Sequence, residues 1–221
     1  KKFMTNNGHP HKAESPIPDR IFKSLFFMII CFPKLLSHST DEREAVEKYL
    51  VPVFQYIKDL CSEMKSPGVY NTALSYLQRS LLCPELNALA PDSWITLLEQ
   101  IVFSLLNNLQ REDKTAPVGI SVEAISERRI KVIQSILAKT VLGHLSQFSE
   151  AKSFLSVWRK ILDYFDWFGK KNAVVTESLK NMLMVIQTSE LFGQNDQFWT
   201  ETWNRVAVFA PELRKDIAGS I

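Results

Sequence analysis

The chain has 221 residues, of which 46% are hydrophobic and 23% charged, and carries a formal net charge of +2. That composition can bury a core in one or two domains and does not suit a disordered chain. The weak charge bias argues against nucleic acid as a partner, and only seven glycines leave phosphate loops and many-turned β architectures poorly supplied.

Residues 1–18 carry Gly8, Pro10, Pro16 and Pro18 with no hydrophobic period and read as a flexible linker or tail. The chain opens Lys-Lys-Phe without an initiator methionine, so a piece of a longer protein is expected, with one α-helical repeat domain over 19–221. The domain begins with an apolar run, Leu25 to Phe32, bracketed by Lys23 and Pro33. A bilayer span needs about 20 apolar residues, and the polar, proline-containing stretch in front does not resemble a signal peptide. A helix apolar on all sides is expected to be buried; the alternative is a surface that docks on lipid or on a neighbouring domain.

Asp41 with Glu44 predicts a capping box for a helix carrying Val46, Tyr49, Leu50, Val53, Phe54, Ile57, Leu60 and Cys61 inward, which Pro52 should kink or restart. Ser66-Pro67 predicts the next start, with Tyr70, Ala73, Leu74, Leu77 and Leu81 inward and Cys83-Pro84 closing it. Asp92 opens a helix with Trp94, Leu97, Leu98, Ile101, Leu105 and Leu109 on one stripe, followed by a polar loop around Arg111 to Gly119. A long helix from near Ser121 carries Ile130, Ile133, Leu137 and Val141. Ser149 is the expected cap of the next, whose face is Phe154, Trp158, Ile161, Leu162 and Phe165 and which ends at Gly169. Leu179, Met182, Leu183 and Ile186 define another helix, and Trp199, Trp203 and Val206 the one before Pro211, with a short one around Leu213 and Ile217. About eight or nine helices in hairpins of about 40–50 residues predict an all-α fold of HEAT- or armadillo-like helical-hairpin repeats, an α-solenoid, a compact bundle being the alternative.

The chemistry along this frame is sparse. Cys31, Cys61 and Cys83 sit among apolar residues and read as buried thiols in the cytosol. His9 and His11 lie in the tail without metal-site support, and His144 near a helix end reads as a partner of the helix dipole. Asp163 and Asp166 fall on the solvent side of an amphipathic helix. Neither a nucleophile elbow nor zinc spacing occurs, so no catalytic, cofactor or metal site is expected. The basic groups Arg128, Arg129 and Lys131 share one helix. Arg159, Lys160, Lys170 and Lys171 flank the aromatic one and are the candidate contact for an anionic membrane or an acidic partner, although such charges usually form a solvated face. Trp158, Trp167, Trp199 and Trp203 read as packing rather than a ligand cage.

One string is more specific. Glu177-Ser-Leu-Lys-Asn-Met-Leu, followed by Val185 and Glu190-Leu-Phe, resembles a segment near the C-terminus of the large Arf guanine nucleotide exchange factors of the Golgi brefeldin A-resistance type, with the yeast Gea and plant GNOM proteins. The similarity extends over roughly residues 50–217. It takes in Pro52 and Cys61, Ala73-Leu-Ser-Tyr-Leu-Gln-Arg-Ser-Leu-Leu, Trp94, Leu137 with Val141 and His144-Leu-Ser. It continues through Trp158 with Ile161-Leu-Asp, Trp203 with Arg205, and Leu213-Arg. The Gly169–Val175 connection is shorter than the family's loop, and residues 1–40 do not match.

The resemblance implies a helical-repeat region of the type termed homology downstream of the Sec-seven module. The family's catalytic glutamate follows a Phe-Arg-Leu-Pro string, which does not occur here. The expected role is therefore non-catalytic: a regulatory or membrane-recruiting region, cytoplasmic and peripheral on Golgi membranes. Arf would be engaged by the parent protein's catalytic module, and any homo-oligomer would form through the parent protein. A purely architectural scaffold is the alternative.

Overall fold

The computed structural model describes residues 17–63, 67–115, 120–169, 174–193 and 196–218. Residues 1–16 of the expected tail, Ser66, Lys170 and Lys171 and the side chain of Arg128 lie outside the described residues, while Ile17 and Pro18, also assigned to the tail, already belong to the first helix.

Among the described residues there are twelve α-helical segments and no strand. In chain order these are α1 (Ile17–Leu36), α2 (Glu42–Ala45), α3 (Val51–Glu63), α4 (Pro67–Leu81), α5 (Pro91–Leu97) and α6 (Ser104–Thr115). They continue as α7 (Ile120–Gly143), α8 (Leu145–Glu150), α9 (Phe154–Gly169), α10 (Val174–Thr188), α11 (Asp196–Phe209) and α12 (Leu213–Ala218). Every inward residue named for α4, α9 and α10 is buried, as are Trp94 through Leu109 of that stripe, whereas on the stripe leading into α3 Tyr49 is exposed and Leu60 only partly buried.

Local chemistry explains where the helices differ from expectation. Asp41 caps α2, its Oδ1 accepting the Glu44 N–H at 3.2 Å, but the Asp41 N–H goes to Ser39 Oγ instead of back to Glu44, so half of the capping box forms. Pro52 sits at the start of α3, where the expected kink or restart takes the form of a change of helix type after the preceding turn. It lacks the N–H that would bond Lys48, and a π turn at Val46–Leu50, in which Val51 N–H reaches Val46 O, absorbs the mismatch. Arg111 to Thr115, read as the first part of a polar loop, instead complete α6, and residues 116–119 lie outside the described ones. Ser149 is not a cap: it ends α8 with its hydroxyl on Ser146 O, and the first free N–H groups of α9 turn to Ser153 O.

Hairpins stack into two layers of parallel helices. In one layer Glu42 meets Ala90 and Ser93, and Lys58 meets Ser104, fixing α2–α3 alongside α5–α6 in the same direction. Glu99 and Asn107 then meet Lys160 and Tyr164 of α9, and Asp163 of α9 meets Arg205 of α11. In the other layer Tyr76 and Arg79 of α4 meet Asp19 and Phe26 of α1, while Tyr70 and Leu81 meet Arg129 and His144 at the two ends of the α4–α7 contact. Contacts of α10 with α7 and α12 extend this layer. The chain is thus an all-α helical-hairpin repeat in which successive hairpins begin about 40–60 residues apart.

Two features depart from the expected burial of α1. Phe22, Ile29 and Phe32 enter the core, but Phe27 and Met28, inside the apolar run, face solvent. No helix among the described residues is long and apolar enough to cross a membrane.

Candidate functional site

Helix α9 carries the aromatic face and two of the candidate basic residues, Arg159 and Lys160. Its apolar side, Phe154, Val157, Trp158, Ile161, Leu162, Phe165 and Phe168, is buried. Trp158 Nε1 donates to Thr202 Oγ1 at 2.8 Å, and that hydroxyl donates to Phe198 O at 2.7 Å, so a buried indole and a buried threonine satisfy one another across α9 and α11. Trp167, Trp199 and Trp203 pack partly buried against the core, and Arg214 lies 5.6 Å from the Trp203 ring centre.

The polar side of α9 is stitched to both neighbours. Arg159 makes a two-pronged contact with the carboxylate of Glu201, and Asp163, one turn on, accepts from Arg205. Lys160 Nζ lies 2.5 Å from Glu99 Oε1 on the opposite side. The Arg159 guanidinium holds the Glu201 carboxyl below the usual carboxylate range, and Glu201 in turn raises Arg159. Of the four basic residues singled out, Arg159 and Lys160 are therefore matched by carboxylates within the fold, and Lys170 and Lys171 lie outside the described residues. Arg129 is likewise engaged, 3.3 Å from Glu112 and over the Tyr70 ring.

The strings that carry the family resemblance are packing elements. Leu179, Met182 and Leu183 of the Glu177–Leu183 string are buried. The Glu190-Leu-Phe string is a turn: Glu190 adopts a left-handed backbone (φ 56°) just past α10, and Gly193 N–H returns to its carbonyl at 2.9 Å. This swings Phe192 back onto Phe198, ring centres 4.4 Å apart, and onto Phe154 at 5.3 Å.

His144 differs from its expected role. It is buried between α7 and α8, stacked on Trp94 with ring centres 3.5 Å apart, and Nε2 lies 2.7 Å from Leu81 O. That carbonyl selects the tautomer with the proton on Nε2, and Nδ1 has no hydrogen-bond partner. Gly143 permits the approach, since a β-carbon there would lie 3.0 Å from Leu82 Cδ2. Burial pushes the His144 pKa below its ordinary 6.5. The folded chain keeps a neutral ring that the unfolded chain protonates, so stability is complete above about pH 6.5 and falls as pH drops through it. Urea midpoints should therefore decline between pH 7.5 and 5.5, and His144→Gln should remove most of that decline; an equal slope in the variant would contradict the assignment.

The described chemistry is that of a packed scaffold. Burial raises Cys61 to about 12 and Cys83 to about 11, which keeps both as protonated thiols rather than nucleophiles, and all three cysteines are free. Among the described residues no group of three or more His, Cys, Asp or Glu side chains could hold a metal ion. Sequence reasoning missed the Trp94–His144 pair and the Glu42 carboxylate that accepts from Ala90 N–H at 2.6 Å and Ser93 Oγ at 2.7 Å. Only the spacing of separate helices across the stack would have revealed either.

Comparison with known proteins places these features. The chain is 33% identical over 172 residues to a Caenorhabditis elegans protein named Golgi-specific brefeldin A-resistance guanine nucleotide exchange factor 1 homolog, a match covering 75% of this chain and 8% of that protein. It is 24% identical over 194 residues to the Arabidopsis thaliana ARF guanine-nucleotide exchange factor GNL1, covering 79% of this chain and 13% of the relative. The chain thus spans only a small part of the length of these curated relatives. No solved structure matches. Residues 50–213 match the family described as the GBF1-like tetratrico peptide repeat region, a helical-hairpin repeat like the fold observed, and the chain belongs to that family.

Proposed function

We propose that this chain is a non-catalytic region of a Golgi Arf guanine nucleotide exchange factor, one that helps recruit or regulate the parent protein at membranes. The observation that carries the reading is the conjunction of family and packing. The chain matches relatives named as such exchange factors, yet the residues that carry the sequence resemblance, among them Trp94, His144, Trp158, Leu183 and Phe192, pack in or against the core. It contains no Phe-Arg-Leu-Pro string to introduce a catalytic glutamate. Nucleotide eviction requires an anion positioned against the phosphates, and that task falls to the parent protein's catalytic module, which engages Arf.

In this reading the parent protein is cytoplasmic and peripheral on Golgi membranes. The cluster Arg159, Lys160, Lys170 and Lys171 is one candidate contact with anionic lipid, and half of its charge is offset by Glu201 and Glu99. The same ion pairs favour a second reading, an architectural scaffold whose polar residues register one hairpin on the next. The folded chain should leave nucleotide release from Arf at its spontaneous rate in a fluorescence exchange assay. Acceleration by the isolated chain would refute the non-catalytic assignment.

A further inference from the structure

We infer that the outward face of α1 is a docking surface for an anionic phospholipid bilayer, an inference that rests on the membrane-recruitment reading. The helix is 20 residues long, about 30 Å. Its inner side is fixed by Phe22, Ile29 and Phe32 in the core and by Phe26 against Tyr76 and Arg79. On the other side Ile21, Met28 and Leu35 recur at seven-residue intervals and form one stripe, with Phe27 beside it. These four are 38%, 54%, 43% and, for Phe27, 65% exposed. A single exposed apolar residue needs no explanation; a row of four along one helix marks an interaction surface.

Charge selects the partner. Exposed Arg20 and Lys23 stand at one end of the stripe and Lys34 at the other. The only acidic residue in the helix is Asp19, held by Lys23 at 2.6 Å. Arg20 and Lys34 make no ion pair among the described residues. Inside the stack, by contrast, interhelical cations meet a carboxylate or a ring: Arg159 meets Glu201, Arg129 meets Glu112, and Arg79 lies over Phe26. Another hairpin stacked on α1 would bury the apolar row but would need acids of its own at both ends. An anionic bilayer supplies both requirements at once, headgroup phosphates for the flanking cations and the acyl boundary for Phe27 and Met28. Because α1 is already folded and packed, docking requires no helix formation at the membrane, unlike a segment that folds on binding.

The test is co-sedimentation of the whole chain with vesicles of phosphatidylcholine with and without phosphatidylserine, with folding checked by circular dichroism. The wild type should bind the anionic vesicles, and added salt should weaken that binding. Phe27→Ser with Met28→Ser should reduce binding at least about tenfold while leaving the fold intact, since both residues face solvent. Arg20→Gln with Lys34→Gln should weaken it and flatten the salt dependence. Wild-type binding that both double variants retain would overturn the assignment to α1 and leave recruitment standing. No binding by the folded wild type would overturn both. A wild type that ignores vesicles but dimerises in lipid-free buffer, with Phe27→Ser/Met28→Ser restoring the monomer, would assign the face to a second copy and overturn the lipid assignment.

Discussion

Phe198→Ala is expected to destabilise the chain by about 3–5 kcal/mol, at the upper end of single-residue effects. Phe198 is buried, and its ring packs at 4.4 Å on Phe192, 5.3 Å on Trp158 and 5.1 Å on Trp199, with Phe154 at 6.3 Å. Truncation removes both the transfer free energy of the ring and the partner faces of four aromatic neighbours, and the hole is bordered by rings too rigid to collapse into it. The deletion also loosens the turn at Glu190–Gly193, whose Phe192 has no other ring as close among the described residues. Urea unfolding of the variant would show a lowered midpoint with an unchanged slope. A loss below about 1 kcal/mol would mean that the cluster is not a cooperative part of the core.

Leu183→Ala is the second large effect, about 2–5 kcal/mol, because Leu183 is fully buried on the inner face of α10. Lys180→Ala, three residues earlier and only half-buried, should stay within about 0.5 kcal/mol. The pair reads out helix phase: α10 packs on both α7 and α9, and a rotation of one residue would exchange the two outcomes. Equal midpoints for the two variants would contradict the observed orientation of α10.

How far the sequence revealed this structure depends on the range of the interaction concerned. Helix faces are set by spacing within one segment, and those of α4, α9 and α10 were legible for that reason. Pro52 was a visible local signal, but the form of its accommodation, a π turn at Val46–Leu50 just before α3, was not readable from it. Ser149 looked like a cap, but any exposed serine before an apolar run would, and Ser153 takes the role. Burial of α1 was misjudged because composition shows how apolar a helix is, not how many of its faces have neighbours; Phe27 and Met28 are exposed where Ile29 is not.

The candidate site was less legible still. Arg159 and Lys160 are adjacent in sequence and read as one basic patch, yet they diverge to opposite neighbours, Glu201 on α11 and Glu99 in the π-helical segment that joins α5 to α6. Both carboxylates are some forty to sixty residues away in the chain, a separation that no local pattern encodes. His144 was visible as a lone histidine at a helix end. Its stacking partner Trp94 belongs to another hairpin, and only the fold brings them together.

The most direct test of a recruiting, non-catalytic role is the exchange rate of the parent protein on Arf, measured in solution and on anionic vesicles, with and without residues 19–218. The account predicts that deletion leaves the solution rate unchanged and removes the enhancement that vesicles confer, since the catalytic module remains and its membrane contact does not. Loss of the solution rate with an intact catalytic module, or full vesicle enhancement without this region, would contradict it.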